Sequence, residues 1–203
     1  MKLIDLSHVL NSATPPYPGD RAASLTEQTS LERDHFTSCL LTSTMHAGTH
    51  IDVPMHLIDD VRTVADFSLD RFTGKGILLD VAGETEISMK AHYRDIVTEG
   101  SVVLLRTRFD AHYGTDEYFT NHPSVSNDLS EFLISRKIKM IGIDTPSPDH
   151  SPYSVHKSLL ENDILILENL TNLHSLPLSG FTVFAFPLKI SAEASLVRVV
   201  GAV

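Results

Sequence analysis

Ligand-type and turn-forming side chains alternate with apolar ones along one eleven-residue segment, and this spacing constrains the fold more than any other feature of the chain. The even-numbered positions hold His46, Gly48, His50, Asp52, Pro54 and His56. In an extended chain alternate side chains share a face, which places three imidazoles and a carboxylate together. The apolar residues of the opposite face are Ala47, Ile51, Val53 and Met55. Because Gly, Thr and Pro disfavour a helix here, the segment is predicted to be an extended strand with one polar face.

The polar face has the chemistry of a metal site. Neutral imidazole and carboxylate suit Zn²⁺, Mn²⁺ or Fe²⁺, and a cluster without thiolates is typical of catalytic sites. Any one of these histidines could instead be an ordinary hydrogen-bonded or surface residue, but the whole set would be desolvated and mutually repelled without a cation. A bound metal lowers the pKa of a water toward about 7 and polarises a carbonyl. His56, which follows the proline turn, is predicted to move protons.

Composition restricts the other function classes. The chain has 203 residues, of which 42% are hydrophobic and 21% charged, as is typical of one folded domain over residues 1–203. The formal net charge is −10, from 16 Lys and Arg against 26 Asp and Glu, so we expect no nucleic acid partner. No apolar run resembles a signal peptide or a membrane span, so we expect a cytoplasmic protein without a membrane partner. The single cysteine, Cys39, is predicted to be a small core residue.

Short strand-like runs outnumber helical ones. The predicted strands are residues 2–6, 38–45, 76–81, 102–107, 139–143, 164–167, 182–186 and 196–200. The predicted helices, each opened by a serine that can cap the first turn, are residues 88–97, 126–137 and 154–160. Residues 11–20, rich in Pro and Gly, are predicted to form a loop. The fold is therefore predicted to be α/β, with a mixed sheet or barrel flanked by helices.

A second polar patch lies far along the chain. Residues 144–150 carry aspartate and histidine, His156 follows, and Glu168 ends an apolar run. A carboxylate at the end of a buried strand is either a solvated terminus or a metal ligand. The residues alone leave both interpretations open.

Taken together, these motifs resemble the cyclase family, which includes bacterial kynurenine formamidases. The pattern His-x-Gly-Thr-His-x-Asp-x-Pro-x-His covers residues 46–56, Tyr-Pro-Gly-Asp covers residues 17–20, Gly-Ile-Asp-Thr-Pro-Ser covers residues 142–147, and Glu-Asn-Leu covers residues 168–170. The resemblance implies a swivelling β/β/α domain around a central β-barrel, assembled as a homodimer or homotetramer. It also implies two zinc ions per chain, with manganese in some relatives.

The resemblance assigns roles residue by residue. His46, His50 and Asp52 would bind the first metal. Asp52 would bridge to a second metal, held by His156 and Glu168. His56 would be the acid and base of the reaction.

The chain departs from the kynurenine formamidase pattern at three places. Tyr17 stands where those relatives carry tryptophan, and Lys157 stands where a second histidine follows His156. Near the C-terminus, residues 194–198 lack the Gly and Pro of a Gly-Ser-Pro-Val-Arg-like stretch. We expect Tyr17 to lie over a small-molecule substrate and cover its planar ring, with weaker stacking than tryptophan gives. These departures concern the substrate more than the reaction.

The leading functional hypothesis is a metal-dependent hydrolase that releases formate or a carboxylate from an N-acyl aromatic amine. An isatin-like lactam hydrolase or a cyclase would use the same apparatus. From a different class, a metal or small-ligand binding protein would keep the site without turnover, but a histidine beyond the ligand set favours an enzyme. A serine hydrolase is disfavoured because no Gly-x-Ser-x-Gly turn is present.

Overall fold

The computed structural model describes residues 1–203 and contains one large mixed sheet. Its nine strands lie in the order β1-β13-β11-β5-β7-β9-β10-β4-β12, and two pairs of strands stand apart from it, β2 with β3 and β6 with β8. The strands are β1 Leu3–Asp5, β2 Ser24–Thr29, β3 Ser38–Thr42, β4 His50–Asp52, β5 Thr73–Asp80, β6 Glu86–Ile87, β7 Val102–Arg106, β8 Ser124–Val125, β9 Met140–Ile143, β10 Leu165–Glu168, β11 Ser179–Phe184, β12 Ala194–Leu196 and β13 Val200–Ala202.

The sheet is parallel in its centre and antiparallel at both ends. Strands β5, β7, β9 and β10 run parallel, whereas β1, β13 and β11 at one end and β4 and β12 at the other pair antiparallel. Apolar side chains from both ends of this order, including Ile4 and Ile51, belong to the same core cluster. The sheet therefore curls into a half-barrel, which confirms the predicted mixed α/β class.

Two cores lie on opposite faces of the sheet, each of 20 buried residues. Strand β5 shows the alternation: Leu78 faces the inner core, while Ile77 and Leu79 face the outer core. Both faces are covered, so the central strands carry runs of consecutive buried apolar residues, as parallel strands usually do. The outer core is completed by helices that contribute Leu129, Leu133 and Leu159 among others.

Five short α-helices accompany the sheet. They are α1 Leu31–Asp34, α2 Tyr93–Ile96, α3 Asp116–Thr120, α4 Asn127–Ser135 and α5 Ser154–Glu161, and 3-10 turns lie at Pro54–His56, Val64–Asp66, Leu69–Phe72, Phe109–His112 and Leu173–Ser175. The predicted helices over residues 126–137 and 154–160 are confirmed as α4 and α5. Ser126 caps α4 by accepting a hydrogen bond from the Leu129 amide, whereas Ser154 lies inside α5 and caps nothing.

The predicted helix over residues 88–97 is wrong for most of its length. Only Tyr93–Ile96 is helical. Just before it, β6 pairs in parallel with β8, so the chain enters this region extended. That tertiary pairing outweighs the local helix preference of the segment.

The predicted burial of Cys39 is also wrong, because this residue is exposed. Strand β3 pairs with β2, a strand that the sequence patterns did not predict. Neither of these two strands has a buried residue. The predicted strand over residues 38–45 thus exists in part but lies outside the main sheet. The predicted strand over residues 196–200 is likewise divided between β12 and β13.

No helix is both long enough and apolar enough to cross a membrane.

Candidate metal centre

Strand β4 carries the centre of the candidate site although it is only three residues long, His50–Asp52. It lies between β10 and β12, with His50 opposite Glu168 on one side and Leu196 on the other. All three of its residues are buried. Because side chains alternate, His50 and Asp52 point to the site while Ile51 enters the inner core.

The predicted extended strand over residues 46–56 is therefore correct only at its centre. Gly48 has φ of 67°, a left-handed conformation that turns the chain before β4. Beyond Val53, the segment Pro54–His56 forms a 3-10 turn, because proline supplies a suitable first residue for a helical turn. Met55, expected to face the core, is 41% exposed.

The turns nevertheless bring the histidines to the carboxylate of Asp52. His46 Nδ1 lies 3.1 Å and His50 Nε2 lies 3.5 Å from Asp52 Oδ1. His156 Nε2, from α5, lies 3.4 Å from the other oxygen, Oδ2. Glu168 Oε2 lies 3.2 Å from His50 Nε2, so the end of β10 joins the same cluster. The structure brings these five predicted metal-ligating residues together.

Hydrogen bonds fix which nitrogen of His50 faces the cluster. Its Nδ1 donates to the Gly48 carbonyl over 2.8 Å, which leaves the Nε2 lone pair facing the carboxylates. The Asn169 side chain donates to the same carbonyl over 2.9 Å, and Tyr118 donates to Asn169 Oδ1 over 2.9 Å. Sequence reasoning quoted Asn169 in a motif but gave it no role, and nothing in the local pattern marked Tyr118.

His156 is oriented in a similar way. Its Nδ1 lies 3.5 Å from Ser147 Oγ and 3.9 Å from Asp149 Oδ1. Asp149 in turn accepts hydrogen bonds from the Val155 and His156 amides at the start of α5. Glu168 Oε1 also lies 3.9 Å from Nδ1, and the ring is thereby oriented with Nε2 toward Asp52.

The cluster strongly perturbs its own protonation equilibria. Burial by itself would lower the pKa of His46, but the negative charges of Asp52, Glu168 and Glu193, of which Asp52 has the largest effect, raise that pKa to about 9. The neighbouring imidazoles hold the pKa of Asp52 well below its usual range despite complete burial. Burial and the charge of Asp52 raise the pKa of Glu168. The site as a whole therefore attracts positive charge.

Five buried side-chain atoms without hydrogen-bond partners meet at this same place. They are His50 Nε2, both oxygens of Asp52, His156 Nε2 and Glu168 Oε1. Buried acceptors facing one another are costly unless a cation lies between them. Two sets, His50 with Asp52 and Glu168, and His46 with Asp52 and His56, each present ligand atoms within 4.8 Å of one another. These residues fit a divalent cation with nitrogen and oxygen ligands.

His56 stands at the edge of the cluster, and its side chain makes no hydrogen bond within the protein. Its ring centre lies 4.3 Å from that of His46 and 5.5 Å from that of His156. Burial lowers the pKa of His56 to about 4. The imidazole is therefore neutral near pH 7, with a lone pair that can bind a metal or accept a proton.

The cluster forms the floor of a cavity of about 220 Å³, and Tyr17 lies in its wall. The hydroxyl groups of Tyr17 and Tyr153 form a hydrogen bond of 3.2 Å. The ring of Tyr17 packs edge to face against that of Phe119, with 5.8 Å between the ring centres. Sequence reasoning missed Tyr153 and Phe119, since isolated aromatic residues in turns and short helices carry no pattern. The remaining lining residues are Pro15, Asp20, Leu57, Pro146, Ser147 and Asn169.

The family model described as "Putative cyclase" matches residues 4–150, which include His46, His50, Asp52 and His56 but not His156 or Glu168. The chain belongs to the cyclase family. A kynurenine formamidase from Bacillus anthracis is 31% identical over 204 residues, covering 98% of this chain and 96% of the relative. A second, from Erythrobacter litoralis, is 28% identical over 98% of this chain and 93% of the relative.

Solved structures share the fold. Isatin hydrolase A from Labrenzia aggregata, bound to benzyl benzoate, superposes with a TM-score of 0.89 at 23% identity, over 100% of this chain and 93% of that one. A structure described as a predicted metal-dependent hydrolase from Bacillus stearothermophilus gives a TM-score of 0.81 at 23% identity, over 98% and 97% of the two chains. The curled sheet and the position of β4 within it thus belong to a fold with solved representatives.

Adding a divalent cation to chelator-treated protein should raise its melting temperature. Free cation at a hundred times its dissociation constant stabilises the folded state by about 2.7 kcal/mol, or roughly 5–10 °C for a chain of this size. His50→Ala should abolish the shift, whereas His174→Ala, at an exposed histidine, should keep it. Differential scanning calorimetry measures all three, and an unshifted wild-type protein would contradict the metal site.

Proposed function

We propose that the protein is a metal-dependent hydrolase that cleaves the C–N bond of an N-formyl aromatic amine, giving the amine and formate. The observation that carries this proposal is the set of unpaired, buried imidazole and carboxylate atoms on the floor of an aromatic-walled cavity. The 31% identical kynurenine formamidase, matched over nearly its whole length, supports the amide substrate class.

The proposed ligands divide into two sets that share one carboxylate. His46, His50 and Asp52 would hold a first cation, and Asp52 with His156 and Glu168 a second. Zn²⁺ suits these ligands best, and Mn²⁺ is compatible with them. When bound, such cations lower the pKa of a water toward about 7 and polarise the substrate carbonyl.

His56 is proposed to carry the proton between water and the leaving nitrogen. Being neutral, it can accept a proton as the water oxygen bonds to the carbonyl carbon. It can then donate that proton to nitrogen as the C–N bond breaks, because an amine is too basic to leave as an anion. The position of His56 beside His46 and His156 supports this role, since the ligand cluster and the proton carrier then share one cavity.

The aromatic wall is proposed to bind the ring of the substrate. Tyr17 and Phe119 meet edge to face, and Tyr153 fixes the Tyr17 hydroxyl. Held in this way, Tyr17 loses little freedom when a planar ring packs against it. No lysine or arginine lines the cavity, so the wall offers packing rather than a partner for an anionic group.

Opening of an isatin-like lactam is the second candidate function, favoured by the TM-score of 0.89 to an isatin hydrolase. Assays of N-formylkynurenine beside isatin and simple anilides discriminate the two. We expect N-formylkynurenine or a simple formanilide to be hydrolysed fastest. Metal uptake without turnover of any of these amides would instead indicate the binding-protein alternative. Cytoplasmic location and assembly as a homodimer or homotetramer remain predictions.

We expect about two divalent ions per chain, roughly 3.5–4 Å apart, because the two ligand sets share Asp52. Elemental analysis after reconstitution with excess Zn²⁺ or Mn²⁺ measures the ratio. His156→Ala should lower it to one by removing only the second set. A wild-type ratio that stays at one would leave His156 and Glu168 without the proposed role as ligands.

His56→Ala should keep the metal content near that of the wild type and lower turnover by roughly 10²–10⁴, the usual contribution of a positioned acid or base. His50→Ala should lose both metal and activity. Metal analysis and initial rates on the same preparations separate the two effects. Loss of metal from His56→Ala would identify His56 as a ligand, and full activity would refute its role in proton transfer.

Tyr17→Ala should raise the KM for the best aromatic substrate by about 2- to 10-fold, since an aromatic contact contributes about 0.5–1.5 kcal/mol. Tyr17→Phe is the matched control: it keeps the ring and loses only the hydrogen bond to Tyr153. Steady-state kinetics on both variants measures the effect. An unchanged KM in Tyr17→Ala would show that the ring does not contact the substrate.

A further inference from the structure

Glu193 lies beside His46, next to the candidate metal centre. Its Oε1 lies 3.4 Å from His46 Nε2, while His46 Nδ1 lies 3.1 Å from Asp52 Oδ1. The imidazole of His46 is thus held between two carboxylates, one at each nitrogen. No motif in the sequence marked Glu193.

We propose that Glu193 is a positioning residue that keeps the proton of His46 on Nε2 and directs the Nδ1 lone pair to the metal. The proposal rests on the metal-dependent function proposed above and adds to it. A neutral imidazole has one N–H and one lone pair, so an acceptor at one nitrogen selects the other as the metal ligand. Asp52 alone cannot make this selection, since it would attract the proton to the ligating nitrogen.

The backbone holds Glu193 in place for this task. Its carbonyl accepts a hydrogen bond from the Val53 amide over 3.1 Å, one residue beyond Asp52. The next residue, Ala194, begins β12 directly opposite Asp52. The strand pairing therefore holds the Glu193 main chain beside Asp52, from where its side chain reaches His46.

The other two candidate histidines are oriented by comparable contacts. His50 uses the Gly48 carbonyl at Nδ1, and His156 has Ser147 and Asp149 near Nδ1. His46 is the most exposed of the three, with 19% of its side chain accessible against 2% and 4% for the others. An orienting partner has most effect where packing restricts the ring least, which is at His46.

Metal competition against a chromophoric chelator tests the proposal without any substrate. Glu193→Ala should weaken Zn²⁺ binding about 10- to 100-fold, the usual effect of removing an orienting partner. Glu193→Gln should stay within about threefold of the wild type, because the amide oxygen still accepts the Nε2 proton. The matched control is Glu99→Ala, at an exposed glutamate, which should bind like the wild type.

Two results would overturn the proposal. Wild-type affinity in Glu193→Ala would show that Glu193 does not orient His46. Equal weakening in Glu193→Gln and Glu193→Ala would show that the negative charge or direct metal binding matters, not the choice of tautomer. Circular dichroism of the metal-free variants checks that each is folded. This test measures Zn²⁺ affinity and does not measure turnover. A protein that binds metal tightly but hydrolyses no amide would therefore disprove the proposed function and leave this proposal standing.

Discussion

The pairing of β4 with its two neighbours is the interaction on which the rest of the site depends. Three residues, His50–Asp52, are hydrogen-bonded on one side to β10 and on the other to β12. This register sets His50 opposite Glu168 and places Glu193 just before the residue opposite Asp52. A shift by one residue would turn Ile51 into the cavity and both ligands into the core. The buried Ile51 side chain opposes such a shift, so the hydrophobic core specifies the geometry of the polar cluster.

The cluster costs stability in the absence of a cation. Asp52 is fully buried with both oxygens unpaired, and Glu168 is buried close by. Buried charges of this kind are tolerated where a partner of opposite sign is present. Although burial lowers the pKa of His46, His50 and His156, the nearby carboxylates raise the net pKa of each above its ordinary value. The fold thus keeps a preorganised cluster that favours positive charge and that a cation would complete.

The sequence predicted which side chains cluster better than it predicted the elements that carry them. The two-residue periodicity correctly placed His50 and Asp52 on one face of a strand, because alternation is a local property of a strand. It failed at Gly48 and Pro54, where a left-handed turn and a 3-10 turn replace the strand but still direct the flanking histidines inward. His156 and Glu168 could be linked to the site only through the family resemblance, since strand pairing over long separations leaves no local mark.

Contacts that orient other residues were the hardest to predict. Tyr118, Asn169 and Glu193 act through one or two polar contacts each, and isolated polar residues follow no periodicity. Cys39 was misjudged for a related reason, since its apolar neighbours suggested a core strand. The ribbon of β2 and β3 instead exposes Leu40 and Leu41, and a local pattern cannot distinguish a buried strand from one that projects from the domain.

The distribution of the candidate ligands along the chain has a consequence for how the protein folds. Residues from His46 to Glu193 meet in one cluster, and the strands that carry them are paired through non-local contacts. Such contacts form late, because long loops must close before they are made. During synthesis, His156 and Glu168 leave the ribosome long after His46, His50 and Asp52, so the complete set of candidate ligands does not exist while the earlier segments are folding. A cation could therefore meet all five candidate ligands only after β10 has paired with β4.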